Sequence, residues 1–277
     1  MAEGEVGLAK AARHEGVLQM VPQYSSKTVQ KVSEALQRSP AFFQLYMTSG
    51  RSLSKRTVLQ AEALGYKAVV FTVDAPILGR RTRDMRLSVE MAQPGEKPGV
   101  GEALRANSYL AMDLQWQDVL WLRNVTKMKI VVKGIHRGDD AVQAVRHGAD
   151  AVMLSNHGGR QVDNAVSGID ILVDVTNRLG QEGLLHKCEI FVDGGVRSGE
   201  DVAKCLALGA RAVGFARPVV FALAAYGVAG AQRCLQMVKE QLIFTMAHLG
   251  ATTLKDLCRD HVVERKGSVR VPVVSRL

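Results

Sequence analysis

Residues 148–157 read GADAVMLSNH, and this stretch decides the fold because it joins a helix stop to a buried strand that ends in polar residues. The same beginning recurs as GYKAV at 65–69 and as GARAV at 209–213. Glycine favours the left-handed conformation that closes a helix, and the apolar run after it suits a strand buried on both faces. The order helix, glycine, strand is therefore predicted three times.

Another strand pattern also recurs, because IVVKG at 130–134 aligns with IFVDG at 190–194 and each precedes an Arg and an acidic helix start. Alternating helices and strands form right-handed crossovers and a parallel sheet. We therefore predict an α/β fold, a TIM-type (β/α)8 barrel over residues 1–277 that lacks the first strand, since only seven strands are assigned. The predicted strands are 17–20, 42–46, 68–74, 130–135, 151–157, 189–195 and 212–216.

The bulk composition favours one sizeable globular domain. The chain has 277 residues, 47% of them hydrophobic and 23% charged. Its net charge of +9 comes from Lys and Arg dispersed along the sequence, which indicates a solvated surface rather than a nucleic-acid partner. The four cysteines form no CxxC pair, so neither a disulfide framework nor a metal site is expected.

Three segments have distinct expectations. Prolines and glycines predict a long loop at 82–108, and apolar spacing over 231–257 predicts a final helix. The longest uncharged stretch, 218–232, is shorter than the roughly 20 residues of a membrane span, so we expect a soluble protein without a membrane partner. Ser275-Arg276-Leu277 is similar to the peroxisomal Ser-Lys-Leu address, so we expect an import-receptor partner and peroxisomal localisation.

Polar residues recur where the predicted strands end. Because active sites of such barrels lie at the C-terminal ends of the strands, these residues are the candidate site. They are Gln44, Tyr46, Thr72, Asp74, Lys133, Ser155, His157, Asp193 and Arg217.

The sharpest cluster is SNHGGR at 155–160. His157 has a side chain whose ordinary pKa lies near neutrality, so it is suited to accept and return a proton. The glycines allow close approach of a ligand, and Arg160 is suited to a carboxylate through two parallel hydrogen bonds. A core histidine beside a surface arginine is the structural alternative.

A phosphate site is predicted at the ends of the last two strands. Asp193-Gly194-Gly195-Val196-Arg197 follows one strand and Arg217 follows the next, where barrels bind phosphate with backbone N–H groups and a helix start. Asp193 also requires a donor such as a ribityl or other polyol hydroxyl.

These motifs together resemble the FMN-dependent 2-hydroxy-acid oxidase family, which includes glycolate oxidase. The resemblance rests on FQLY at 43–46, TVDAP at 72–76, GRR at 79–81, VKG at 132–134, SNHGGRQ at 155–161 and DGGVR at 193–197. It implies FMN as cofactor and oxidation of a small 2-hydroxy acid to the 2-oxo acid, with O2 reduced to hydrogen peroxide. A homo-oligomer is a further implication.

The resemblance also implies residue roles. His157 would be the base, Asp74 would hold its imidazole, and Arg160 and Arg81 would bind the substrate carboxylate with help from Tyr46. Gln44, Thr72 and Ser155 would contact the flavin ring, Lys133 would stabilise its reduced form, and Tyr24 would shape the substrate pocket. The expected phosphate and ribityl contacts are Asp193, Gly194, Gly195, Val196, Arg197, Ala216 and Arg217.

The chain departs from the family pattern at three places. The family's N-terminal segment, with its first strand and an active-site tyrosine, has no counterpart here. MVPQ at 20–23 replaces an expected Ser or Thr, and Ala216 replaces a glycine before the phosphate-binding arginine. A non-catalytic relative and a different FMN barrel enzyme, such as an isomerase, therefore stay open as alternatives.

Overall fold

The computed structural model describes residues 3–77, 79, 81–90, 110–266 and 269–272. Its main sheet is a curled set of seven parallel strands that pair in sequence order, each with its neighbour along the chain. This sheet confirms the predicted barrel architecture. The strands are β1 (Gln19–Pro22), β2 (Ala41–Leu45), β3 (Ala68–Thr72), β4 (Lys129–Ile135), β5 (Ala151–Leu154), β6 (Glu189–Val192) and β7 (Ala212–Val213).

Helices connect the strands and form the outer layer. They are α1 (Gly4–His14), α2 (Val29–Leu36), α3 (Arg51–Ala63), α4 (Thr82–Glu90), α5 (Gln117–Val125), α6 (Gly138–Arg146), α7 (Gly168–Gln181), α8 (Gly199–Ala207) and α9 (Arg217–His248). Several start at a hydroxyl cap: the Ser198 side chain accepts from the Asp201 N–H, and Asp201 returns the bond in a capping box. An antiparallel hairpin, β8 (Val263–Lys266) with β9 (Val269–Pro272), follows α9.

The side-chain alternation of the strands separates two apolar layers. Val69, Phe71, Val132 and Leu154 belong to the large core between sheet and helices. The alternate positions form a small cluster on the opposite face of the sheet, which is the barrel lumen. That cluster contains Ala68, Val70, Val131, Ala151 and Met153, with Met20, Phe42 and Phe191 packed against it.

The helical layer continues where the sheet is interrupted. Within the described residues, β1 pairs only with β2 and β7 only with β6, so the sheet is open between these two edges. Outside this opening α1 packs directly on α9, through Ala11, Val219 and Leu223. The Lys239 ammonium at the far end of α9 also binds the backbone and the carboxylate of Glu15. The two terminal helices therefore hold the open sheet together from outside.

Two expectations about helices are corrected. Residues 82–90 form α4 rather than a loop, since the segment contains strong helix formers and places Asp84 in its first turn; residues 91–108 lie outside the described part. The final helix begins at Arg217, not at 231, and its backbone is non-helical at Tyr226 and Gly227.

The sequence-based exclusion of a membrane span must also be revised. By length and composition, one described helix, Arg217–His248, is apolar and long enough to cross a membrane. The uncharged stretch 218–232 is only part of this helix, which continues through Arg233. Its break at Gly227 and its packing on α1 and α8 place it in the helical layer.

The C-terminal residues 275–277, which carry the expected peroxisomal address, lie outside the described residues.

Candidate functional site

The lumen-facing positions become polar at the C-terminal ends of the strands. Continuing the alternation from Phe42, Val70, Val131, Met153 and Phe191 by two residues reaches the predicted site residues. They are Gln44, Thr72, Lys133, Ser155 and Asp193. The first four side chains are at most 7% exposed, and Asp193 is partly buried.

His157 lies between a carboxylate and a phenol. Its Nδ1 lies 2.9 Å from Asp74 Oδ1, and its Nε2 lies 3.3 Å from the Tyr46 hydroxyl. The His157 backbone has a φ of 56° and donates its N–H to Ser155 Oγ at 3.0 Å, which fixes the turn that presents the imidazole. The structure therefore brings together His157 and two residues that the family resemblance places beside it, Asp74 as the group that holds its imidazole and Tyr46 as a substrate-binding hydroxyl.

The partners of His157 determine which ring nitrogen is available. An ionised carboxylate accepts only, so Asp74 places the proton on Nδ1 and leaves Nε2 as the basic atom. Burial and, to a smaller extent, the charge on Asp74 raise the pKa of Tyr46 to about 12, so its hydroxyl stays protonated at neutral pH. Tyr46 then donates to His157 Nε2. The basic nitrogen of His157 therefore faces the side of the site where Tyr46 lies.

Asp74 is held in its charged form. Burial is the largest influence and raises its pKa, but the His157 hydrogen bond and the Lys133 charge together lower the pKa below its ordinary value. Lys133 Nζ lies 3.5 Å from Asp74 Oδ2 and donates to Ser155 Oγ at 3.0 Å. Gly134 has a φ of 105°, and a Cβ there would approach Asp74 Cβ to 2.5 Å, so glycine is required beside the carboxylate.

Two guanidinium groups lie at the rim of the site and share a carboxylate. Arg160 and Arg81 contact Asp84 Oδ2 at 3.4 and 3.9 Å, and Arg81 Nε also donates to the Arg160 carbonyl at 3.4 Å. The three side chains are 41%, 31% and 56% exposed, in the order Arg160, Arg81, Asp84. This pair of arginines is accessible and suited to a small carboxylate.

The predicted phosphate residues lie around two glycine turns. Arg217, the first residue of α9, donates to the Gly158 carbonyl at 2.6 Å. A Cβ on Gly194 would lie 3.7 Å from Gly158 Cα, so the turn at 194–195 lies beside the turn at 158–159. Exposed backbone N–H groups at such turns and at a helix start are suited to an anion.

Four predicted site residues remain, namely Ala216, Val196, Arg197 and Tyr24. Ala216 is exposed at the start of α9, and Val196 is buried. Arg197 is exposed, and its backbone N–H donates to Asp201 at 3.0 Å. Tyr24 is 57% exposed and stacks on Tyr46 with ring centroids 5.7 Å apart. The roles of these four residues, like those of the other site residues, stay predictions.

The residues present fit FMN, on the evidence of one buried atom. Asp193 Oδ1 is buried and accepts no hydrogen bond from the described residues. A buried acceptor without a donor costs about 1–3 kcal/mol, so a ligand hydroxyl is expected there. The ribityl chain of FMN carries such hydroxyls, with a phosphate at its end for the glycine turns and a ring to reach Lys133.

Two glutamines were assigned no role in the sequence. Gln161 accepts from the Gly79 N–H at 2.9 Å and donates to the Ile77 carbonyl at 3.0 Å, which ties the segment after β3 to the SNHGGRQ turn. Its place in that motif was the available signal. Gln23 contacts both Gln44 and Tyr46, and its signal in the sequence was its place in the run MVPQ at 20–23, where a Ser or Thr is expected.

Comparisons with known proteins show the family of the chain. A family model described as FMN-dependent dehydrogenase matches residues 1–264. The L-lactate dehydrogenase (cytochrome) of Wickerhamomyces anomalus is 38% identical over 262 residues, 92% of this chain and 46% of that protein. The 2-hydroxyacid oxidase 1 of Homo sapiens is 37% identical over 286 positions, 97% of this chain and 75% of that protein.

A solved structure shows the same architecture. A mutant flavocytochrome b2 with pyruvate bound has a TM-score of 0.86 and 36% identity, over 93% of this chain and 64% of that one. The chain thus spans about half the length of the lactate dehydrogenase and about two thirds of the flavocytochrome chain.

Proposed function

The chain belongs to the FMN-dependent dehydrogenase family, and we propose that it oxidises a small 2-hydroxy acid to the 2-oxo acid with FMN and O2. The observation that carries the proposal is the set Tyr46, His157 and Asp74, which makes one basic nitrogen available beside two accessible guanidinium groups. The substrate would lose two electrons and two protons, and O2 would take them up to give hydrogen peroxide.

Each half of the substrate has a matching group. Arg160 and Arg81 bind its carboxylate, which replaces Asp84 as their partner, and the protonated Tyr46 hydroxyl donates a further hydrogen bond. His157 Nε2 accepts the proton that leaves the hydroxy acid. Asp74 stabilises the resulting imidazolium through Nδ1 and keeps the ring oriented.

The other residues would hold the cofactor. When bound, FMN supplies the two-electron chemistry that no side chain offers. Gln44, Thr72 and Ser155 would contact its ring, and the buried Lys133 would favour negative charge there. Asp193 would accept from the ribityl chain. The glycine turn at 194–195 and Arg217 would bind the phosphate, with Val196, Arg197 and Ala216 beside it.

The open sheet sets an expectation for affinity. In the part of the chain that the structure describes, seven strands leave the lumen without one wall between β1 and β7, so we propose that the 277-residue chain binds FMN weakly unless a further segment completes the barrel. If no FMN is bound, the non-catalytic relative becomes the better description. The isomerase alternative is disfavoured, because a base with two guanidinium groups matches a hydroxy carboxylate.

The test is a flavin titration followed by substrate. FMN fluorescence is measured as the purified chain is added, with and without a grafted N-terminal segment from a relative. Glycolate, L-lactate and mandelate are then added without air, and absorbance reports flavin reduction. Admission of O2 with a peroxide assay follows. Binding without reduction by any 2-hydroxy acid would contradict the proposed reaction, whereas reduction without peroxide would contradict O2 as acceptor.

We also propose that the protein acts in the peroxisome, as the 2-hydroxy acid reaction releases peroxide. The support is Ser275-Arg276-Leu277, which would be read by an import receptor where Leu277 is the terminus. The comparisons do not assign a location to this chain.

A further inference from the structure

Gln23 lies at the end of the edge strand β1. That strand ends at Pro22, which pairs in register with Gln44 of β2 and has no N–H to donate. Within the described residues β2 is the only strand that pairs with β1. Any side chain that fastens this end to β2 therefore determines the geometry of the adjoining part of the site.

Gln23 makes that connection through both its backbone and its side chain. The Tyr46 N–H donates to Gln23 Oε1 at 2.7 Å, and the Gln23 N–H donates to Gln44 Oε1 at 3.3 Å. Because a backbone N–H only donates, the amide atom facing Tyr46 must be the oxygen. The orientation of the Gln23 carboxamide is thereby fixed.

The same chain of hydrogen bonds continues into the lumen. Gln44, whose Oε1 is occupied by the Gln23 N–H, directs its Nε2 to Thr72 Oγ1 at 2.9 Å. Gln23 thus connects to two residues of the proposed site, the ring-facing amide of Gln44 and the backbone of Tyr46. Tyr46 in turn places its hydroxyl against His157.

We infer that Gln23 is a positioning residue, whose carboxamide fastens the C-terminal end of β1 to the backbone of Tyr46 and so holds Tyr46 for the substrate, while its backbone N–H binds Gln44. The inference rests on the proposed function for its catalytic consequence, but its structural part does not. Loss of the Gln23 carboxamide would release the Tyr46 N–H while leaving Gln44 in contact with Thr72.

The first test is independent of activity. Amide hydrogen exchange of Tyr46 is measured by NMR in the wild type, Gln23→Leu and the control Gln30→Leu, which makes the same change at an exposed position of α2. A protected N–H that loses its acceptor should exchange about tenfold faster, since one neutral hydrogen bond is worth up to ~1.5 kcal/mol. Unchanged exchange in Gln23→Leu would overturn the inference.

The second test measures the consequence for ligands. KM for a 2-hydroxy acid should rise about threefold to tenfold in Gln23→Leu relative to Gln30→Leu, whereas the FMN dissociation constant, from fluorescence, should change less because the Gln23 backbone N–H keeps its bond to Gln44. The rate at saturation should change less, because His157 and Asp74 keep their contact. Gln23→Glu, which retains an acceptor for Tyr46, should restore the Tyr46 protection.

The outcomes separate the two proposals. Faster Tyr46 exchange with an unchanged KM would overturn the positioning role. Absence of FMN binding in the wild type would overturn the proposed function, and exchange would still decide the contact. Circular dichroism checks folding, and Gln23→Asn, with a carboxamide one methylene shorter, replaces the leucine variant if that variant does not fold.

Discussion

His157→Gln is the most direct perturbation of the proposed reaction. The change removes the basic Nε2, which lies 3.3 Å from the Tyr46 hydroxyl, and introduces a carboxamide that cannot take up a proton at neutral pH. A glutamine at this position still has N–H groups for Asp74. The buried carboxylate therefore keeps a donor, and Lys133, 3.5 Å away, is unaffected.

The size of the effect follows from what is lost. Asp74 stabilises a positively charged imidazole through a 2.9 Å hydrogen bond between buried groups, and this stabilisation has no equivalent in a neutral amide. Loss of a positioned general base lowers rates by about 10² to 10⁴. FMN affinity should change little, because the proposed phosphate and ribityl contacts would be made by Asp193, the turn at 194–195 and Arg217 rather than by the His157 side chain.

The assay is stopped-flow flavin reduction by a 2-hydroxy acid without air. It compares His157→Gln with the wild type and with His186→Gln, the same change at an exposed position. FMN titration of all three proteins separates lost chemistry from lost cofactor. Reduction by His157→Gln at a rate within about tenfold of the wild type would remove His157 from the role of base.

Three further results are expected. Arg160→Lys keeps the charge but loses the planar fork, so KM for a 2-hydroxy acid should rise about tenfold or more while neutral alcohols are unaffected; equal changes for both would contradict carboxylate binding. The depressed pKa of Asp74 means that its contribution to stability is complete above 3.8, the ordinary value, and is lost as pH falls through the lower folded value. Urea unfolding should therefore show a shallower loss of stability with acid in Asp74→Asn, and identical pH profiles would disprove the assignment. Removal of Ser275-Arg276-Leu277 should leave a fluorescently labelled protein in the cytosol, and continued import would indicate a different address.

Much of the site could be predicted because one alternation rule generates it. Once strands were assigned around 68–74 and 130–135, the same parity that buries Val70 and Val131 in the lumen also placed Thr72 and Lys133 at its mouth. The turn at 155–160 was recognisable from its residue types alone. Local pattern and chemistry agreed at each of these positions.

Contacts between distant segments were not predictable in this way. Gln23 contributes through its carboxamide to a residue on the next strand, and nothing in the local pattern distinguishes that amide from a solvated one. Asp84 pairs with Arg160, 76 positions away, because α4 forms where prolines and glycines further on suggested a loop. The sequence pattern predicted that the last helix begins at 231, whereas it begins at Arg217. An apolar segment that continues past Gly227 does not show where its helix starts.

The contact of α1 with α9 has a consequence for the order in which a complete barrel must form. In the described residues, these helices cover the gap between β1 and β7 on the outside of the barrel. The gap is therefore closed on its outer side. A strand that completes the sheet must lie inside that cover, beneath the contact of Gly7 and Leu223 and the bond from Lys239 to Glu15. We therefore expect such a strand to assemble with the chain while it folds. A peptide added to the folded chain could not enter the gap from outside, because the packed helices α1 and α9 cover it.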